Sequence, residues 1–179
     1  MIRFVLACLF AGFVAVPVAA ALTADEVEEV WANIGQVSGK FSEQYEDGST
    51  STGTFAVYGP TLIVMTYKDG TIFAVNGGDS KKVGGVSLAG RKMTIVDGWN
   101  GEVQQYDLGP FGKLLRPTPE LDQVLTGTKE TATRVTLRLR DSRAPKRGYI
   151  DMTWDAKSGK MLRWRTVIDG SDVTTTFSY

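Results

Sequence analysis

Gly148-Tyr149-Ile150-Asp151-Met152-Thr153-Trp154-Asp155 and Leu162-Arg163-Trp164-Arg165-Thr166-Val167-Ile168-Asp169-Gly170 alternate apolar and polar side chains almost residue by residue. In an extended chain, Ile150, Met152 and Trp154 then face one side while Asp151, Thr153 and Asp155 face the other. The pattern recurs upstream, where Val135, Leu137 and Leu139 alternate with Thr136, Arg138 and Arg140. It recurs at the end of the chain, where Val173, Thr175, Phe177 and Tyr179 alternate with Thr174, Thr176 and Ser178. One apolar and one solvated face mark antiparallel strands. Ser158-Gly159 and Asp169-Gly170 supply turns between them.

The same grammar runs toward the N-terminus. Residues 40–46 and 50–58 flank Asp47-Gly48, a hairpin signal. Gly59-Pro60-Thr61 turns the chain into residues 62–67, and Asp69-Gly70 leads into residues 71–75. Residues 81–88 and 92–96 follow, and Asp97-Gly98 precedes residues 102–108. The stretch from Gly77 to Lys92 reads as an extra hairpin. After it, Phe111, Leu114 and Leu115 fall on one face of a single helical turn, which Pro117 and Pro119 close. About ten strands with so little helix predict one large curved sheet, which must close or be covered. The expected fold is mainly β: an incomplete antiparallel β-barrel with an N-terminal helix and a short helical lid.

Thr23-Ala24-Asp25-Glu26 has the form of a capping box, and Val27, Val30, Trp31 and Ile34 follow helical spacing up to Gly35. Ahead of it, Met1-Ile2-Arg3 carries one positive charge, residues 4–16 are almost wholly apolar, and Ala19-Ala20-Ala21 follows Pro17. This is the pattern of a secretory signal peptide over residues 1–21, too short for a membrane span. Residues 22–179 then form a single exported domain, expected in the periplasm.

The 179 residues contain no histidine and one cysteine, and 20 Lys and Arg balance 20 Asp and Glu. Histidine triads and histidine-ligated zinc are excluded. Cys8 lies in the leader, so its removal leaves no thiol nucleophile. A balanced charge argues against a nucleic-acid binder. Asp97 with Glu102, and Asp151 with Asp155, are the carboxylate pairs worth considering for catalysis, and the turn or solvated-strand reading is simpler for both. The expectation is a domain that is not an enzyme and uses no metal or cofactor.

The apolar content exceeds what a two-layer sheet needs. Trp31 lies on the apolar face of the helix, and Phe41, Phe55 and Val57 line one face of the first hairpin. Ile63, Met65 and Phe73 follow in the next two strands, with Phe111, Leu114 and Leu115 in the lid turn and Met152, Trp154 and Trp164 in the closing strands. Either these fill an ordinary core, or they line a greasy pocket whose methionines and aromatics adapt to ligands. The densest charge feature is Arg138, Arg140, Arg143, Lys146 and Arg147, either a solvated face or a docking patch for an acidic partner or for anionic lipid headgroups.

The order of these segments resembles the outer-membrane lipoprotein carrier family, LolA. Gly39-Lys40-Phe41-Ser42-Glu43-Gln44 is similar to the family's G-x-F-x-Q strand, with the glutamine one place later. Ser51-Thr52-Gly53-Thr54-Phe55 and the Pro60 turn resemble its next hairpin, and Gly109 to Leu115 resembles its P-x-x-x-L-L lid helix. Residues 148–155, 162–170 and Thr174-Thr175-Thr176-Phe177 resemble its closing strands. Gly59 stands where the family carries an arginine that ties barrel to lid.

The resemblance implies an incomplete barrel whose lid covers an apolar cavity. It implies a monomeric carrier of acylated lipoproteins, loaded by an inner-membrane ABC transporter and unloaded to an outer-membrane acceptor. One acyl chain of about 14 methylenes costs on the order of 11 kcal/mol to expose to water, at about 0.8 kcal/mol per CH₂. A shuttle for another lipid or glycolipid, or a non-catalytic envelope interaction protein, fits the same residues.

Overall fold

The hairpin around Asp47-Gly48 forms as β1 (Gln36–Tyr45) and β2 (Thr50–Tyr58). Ahead of it, helix α1 covers Ala24–Ala32. The computed structural model describes residues 24–109, 111–141 and 143–179, and gives no side-chain surroundings for Phe111. The expected leader and the capping residue Thr23 lie outside the described residues. After β2 come β3 (Leu62–Tyr67), β4 (Ile72–Asn76), β5 (Lys81–Val83), β6 (Val86–Leu88), β7 (Lys92–Val96) and β8 (Val103–Asp107). The one-turn helix α2 (Phe111–Leu114) precedes β9 (Leu125–Glu130) and β10 (Arg134–Leu139). The chain ends in β11 (Gly148–Asp155), β12 (Met161–Ile168) and β13 (Ser171–Ser178).

The protein is mainly β. Eleven strands form one antiparallel sheet in the order β8-β7-β4-β3-β2-β1-β13-β12-β11-β10-β9, and β5 and β6 pair separately. The order is linear: β8 and β9 are edges and do not pair with each other, so the sheet is open. The expected count of about ten strands falls short of the thirteen found. The strand missing from the sequence reading is β9. It is exposed along almost its whole length and shows no apolar alternation.

β1 sits at the centre. It pairs with β2 on one side and with the terminal β13 on the other, Phe41 opposite Phe177 and Glu43 opposite Thr175. Two glycines make room for its aromatics. Gly39 lies opposite Phe55 and Gly53 opposite Phe41. A Cβ on Gly53 would sit 2.7 Å from the Phe41 ring and 2.1 Å from the Thr66 carbonyl oxygen. The absent side chain is thus what lets the phenyl ring lie flat on its neighbour strand. Edge-to-face contacts continue across the sheet, Phe55 with Phe177 and Phe177 with Trp164, each at 4.9 Å between centroids.

The inner face of this sheet buries one continuous core. Val27 and Trp31 of α1 reach it from one side, and Leu114 and Leu115 from the α2 segment. Burying a large apolar side chain contributes roughly 1.5–3 kcal/mol, so these few residues account for much of the covering energy. The helix is also pinned by polar contacts. Trp31 Nε1 donates to the Pro60 carbonyl at 3.1 Å, and Glu28 accepts the Leu121 N–H at 2.8 Å. The tie to the turn at Gly59 is therefore an indole rather than an arginine. The β5–β6 hairpin packs on the opposite, outer face, where Leu88 joins Leu62, Val64 and Ala74 in a second small core.

Gly77 fixes how closely the α2 segment docks. A Cβ there would lie 1.7 Å from the Leu115 carbonyl oxygen. Gly77→Ala is expected to destabilise the protein by about 1–3 kcal/mol, as overpacking does. Gly35→Ala, with no atom within 4 Å of the added carbon, serves as the control. Thermal denaturation followed by circular dichroism measures both, and equal melting temperatures for the two variants would contradict this packing.

Candidate functional site

The alternation that builds the strands also decides what the inner face presents. On β1, Phe41, Glu43 and Tyr45 share the inner side, while Lys40, Ser42 and Gln44 face outward. The glutamine matched from sequence to the family strand is therefore an outer residue, and Glu43 holds the inward place. Parity with Phe41 was the signal that identifies it.

Most of the candidate ligand residues meet in the packed core. Trp31, Phe41, Phe55, Val57, Ile63 and Met65 are at most 3 % exposed. Leu114, Leu115, Met152, Trp154 and Trp164 belong to the same cluster. Phe73 is half-buried against it, and the Phe111 side chain lies outside what the structure describes. Of this set, Phe73 and Trp164 line a void on the inner face.

That void is a cavity of about 630 Å³ on the inner face. Its size falls in the range usual for small-molecule pockets, about 300–1,000 Å³. Because the sheet curls, strands far apart in its order form opposite walls. Phe73, Met93 and Ile95 come from β4 and β7, and Ile150, Trp164 and Ile168 from β11 and β12. Tyr106, Asp107, Asp141 and Arg147 stand at the same cavity. Met93, Ile95 and Ile168 were not among the candidates from sequence, because their convergence depends on strand order rather than on any local pattern.

Between these walls sits Glu43, 6 % exposed. Its carboxylate accepts three hydroxyl hydrogen bonds: from Tyr45 at 2.9 Å, from Tyr67 at 2.8 Å and from Thr175 at 2.9 Å. Trp164 Nε1 donates to Thr175 Oγ1 at 2.6 Å. That bond occupies the threonine oxygen as an acceptor and leaves its single proton for Glu43. Burial, then the neighbouring Glu43 charge, holds the Tyr67 phenol above its ordinary range. Burial lifts Tyr45 as well, opposed by a hydrogen bond with Ser51 and reinforced by Glu43. Both phenols stay protonated and serve as donors.

Three of the four carboxylates considered for catalysis are otherwise engaged, and Glu102 is exposed. Asp97 accepts the N–H groups of Trp99 and Asn100, and Asp155 those of Lys157 and Ser158, so both stiffen turns. Asp151 takes a bidentate bond from Arg138 at 2.7 and 2.8 Å. The basic run is similarly committed. Arg143 pairs with Asp141 and Arg147 with Asp169, while Arg140 donates to the Pro145 carbonyl. Lys146 is exposed. Arg138 and Arg165, which pairs with Asp172, project from the outer face, away from the cavity. As a docking surface for an acidic partner, this run presents far less unbalanced charge than its composition implies.

Neither a protein-family model nor a curated protein matches the chain. Among solved structures it is similar to a LolA superfamily protein from Nitrosomonas europaea, with a TM-score of 0.39 and 9% identity over 89% of this chain and 93% of that one.

The ion pairs set an acid limit. The arginine partners hold Asp141, Asp169 and Asp172 below the ordinary aspartate range, chiefly through direct hydrogen bonds. A carboxyl whose folded value is lowered adds stability above its unfolded value, about 3.9, and loses it as pH falls through the folded one. The melting temperature is expected to be flat from about pH 7 to 5 and to fall steadily below about pH 4. Asp172→Asn should shallow that decline. A pH series of thermal melts checks it, and a variant curve with undiminished slope would contradict the assignment.

Proposed function

We propose that this chain is a non-catalytic carrier that shields an acyl chain in its inner-face cavity. The observation that carries this reading is the cavity itself, about 630 Å³ with predominantly apolar walls from both limbs of the curled sheet. Sequestering one acyl chain removes most of the on the order of 11 kcal/mol that exposing it to water costs. The open sheet acts as an incomplete barrel, with α1 and the α2 segment as its cover. Such a carrier needs no cofactor and no metal, and it works as a monomer. Export by the N-terminal leader places it in the periplasm. There its client is an acylated lipoprotein, received from an inner-membrane ABC transporter and delivered to an outer-membrane acceptor. Another lipid or glycolipid would be held by the same walls.

A second reading, an envelope interaction protein with a filled sheet, is favoured by the dense packing of Trp31, Phe55, Met65, Met152 and Trp154. The two readings differ over whether the cavity is occupied. Gentle purification followed by native mass spectrometry is expected to reveal a bound acyl species. Met93→Trp and Ile168→Trp narrow the cavity from opposite walls. Each should lower uptake of a pyrene-labelled dodecanol at least about tenfold, the equivalent of about 1.4 kcal/mol. Undiminished uptake in both variants would refute the cavity as the binding site and favour the filled scaffold. Depletion in cells should retain outer-membrane lipoproteins at the inner membrane, and normal sorting would transfer the proposal to another lipid client.

A further inference from the structure

We propose that the cavity selects amphiphiles whose polar end is an ammonium group, and that Glu43 receives that group. The inference rests on the carrier reading and adds the chemical class of the ligand's head.

Glu43 lines the cavity and is 6 % exposed. The groups that satisfy it, Tyr45, Tyr67 and Thr175, are all neutral hydroxyls. Among the described residues no lysine or arginine forms an ion pair with it, although seven ion pairs form elsewhere in the protein. The basic side chain nearest to this role, Arg147, stands at the same cavity but is bound to Asp169. Taking a carboxylate out of water without a cation is costly, and neutral donors offset only part of it. A carboxylate has about four acceptor positions, and three are used, so one remains for a ligand donor.

The surroundings suit the same head group. Tyr45, Tyr67, Phe73 and Trp164 are aromatic members of the lining, and a cation held over such rings gains further attraction. Met93, Ile95 and Ile168 supply apolar surface for the attached tail. An anionic head would meet the Glu43 charge in a poorly hydrated space. A neutral alcohol would find a hydrogen-bond acceptor but no charge complement.

The test compares dodecylamine, dodecanol and dodecanoate at neutral pH, each below its micellar concentration, by isothermal titration calorimetry. The wild-type protein is expected to bind dodecylamine at least about tenfold more tightly than dodecanol, as a charge-assisted hydrogen bond allows, and dodecanoate most weakly. Glu43→Gln should bring the amine-to-alcohol affinity ratio to about one, because it retains an acceptor but loses the charge. Tyr67→Phe, which removes one donor and keeps the carboxylate, should preserve the preference. Equal affinity of the wild type for amine and alcohol would overturn the head-group proposal and leave the carrier reading standing. Failure of all three to bind would overturn both. The comparison within the wild type holds even if Glu43→Gln does not fold, and a preference that survives in a folded Glu43→Gln would assign the selectivity to another group.

Discussion

The pairing of β1 with β13 joins two halves of the chain that, among the described residues, have no other strand-to-strand bond between them. On one side lie β2, β3, β4, β7 and β8, each bonded to a sequence neighbour or near neighbour; on the other lie β12, β11, β10 and β9. Phe41 opposite Phe177 and Glu43 opposite Thr175 are separated by more than 130 residues of chain. Closing so large a loop carries an entropic cost that grows only slowly with length, and the aromatic contacts around Phe177 offset it locally. Once this seam is made, the two limbs curl toward one another and the inner face becomes concave. The core, the covering helices and the cavity all follow from that curvature.

Much of this architecture is legible in the sequence because period-two alternation is a direct consequence of extended backbone. β2, β3 and β7 match their expected bounds residue for residue, and the glycine-rich stretch after Asn76 does form a hairpin. Strand β9 escaped because an exposed edge strand has no buried face to impose a pattern. The pairing order escaped because alternation states which residues share a face and not which strands are neighbours. For the same reason, sequence could nominate Phe73 and Trp164 but could not separate them from Phe55 or Met152. All four look alike along the chain, and only curvature decides which of them line the inner-face cavity. Glu43 was within reach: a charged residue in register between Phe41 and Tyr45 breaks the inward pattern.

The two faces of the sheet handle charge in opposite ways. Outside, on β10 to β13, Arg138 meets Asp151 and Arg165 meets Asp172 across the strands or along them. These partly exposed pairs are screened and worth little individually, but they keep the outer face hydrated and discourage stacking on another sheet. Inside, the Glu43 carboxylate is surrounded by hydroxyls. Alternation sends Arg138 and Arg165 outward, and Arg147, which stands at the cavity, is bound to Asp169.

The Glu43 network cannot be explained by cohesion alone. Backbone pairing already bonds β1 to β13, and Phe41, Phe177 and Trp164 already pack the seam beside it. An apolar side chain at that position, facing a threonine replaced by valine, would satisfy the same geometry without desolvating a charge. Buried polar networks of this kind are justified energetically only when every member is satisfied. Here the hydroxyls are satisfied through Glu43, while Glu43 retains acceptor capacity and a charge that no described side chain balances. The deficit lies where the core gives way to space on the inner face. A sheet designed only to be stable would have closed that space with hydrocarbon; this one leaves it open beside an unbalanced acid, the place that the proposed ammonium head would fill.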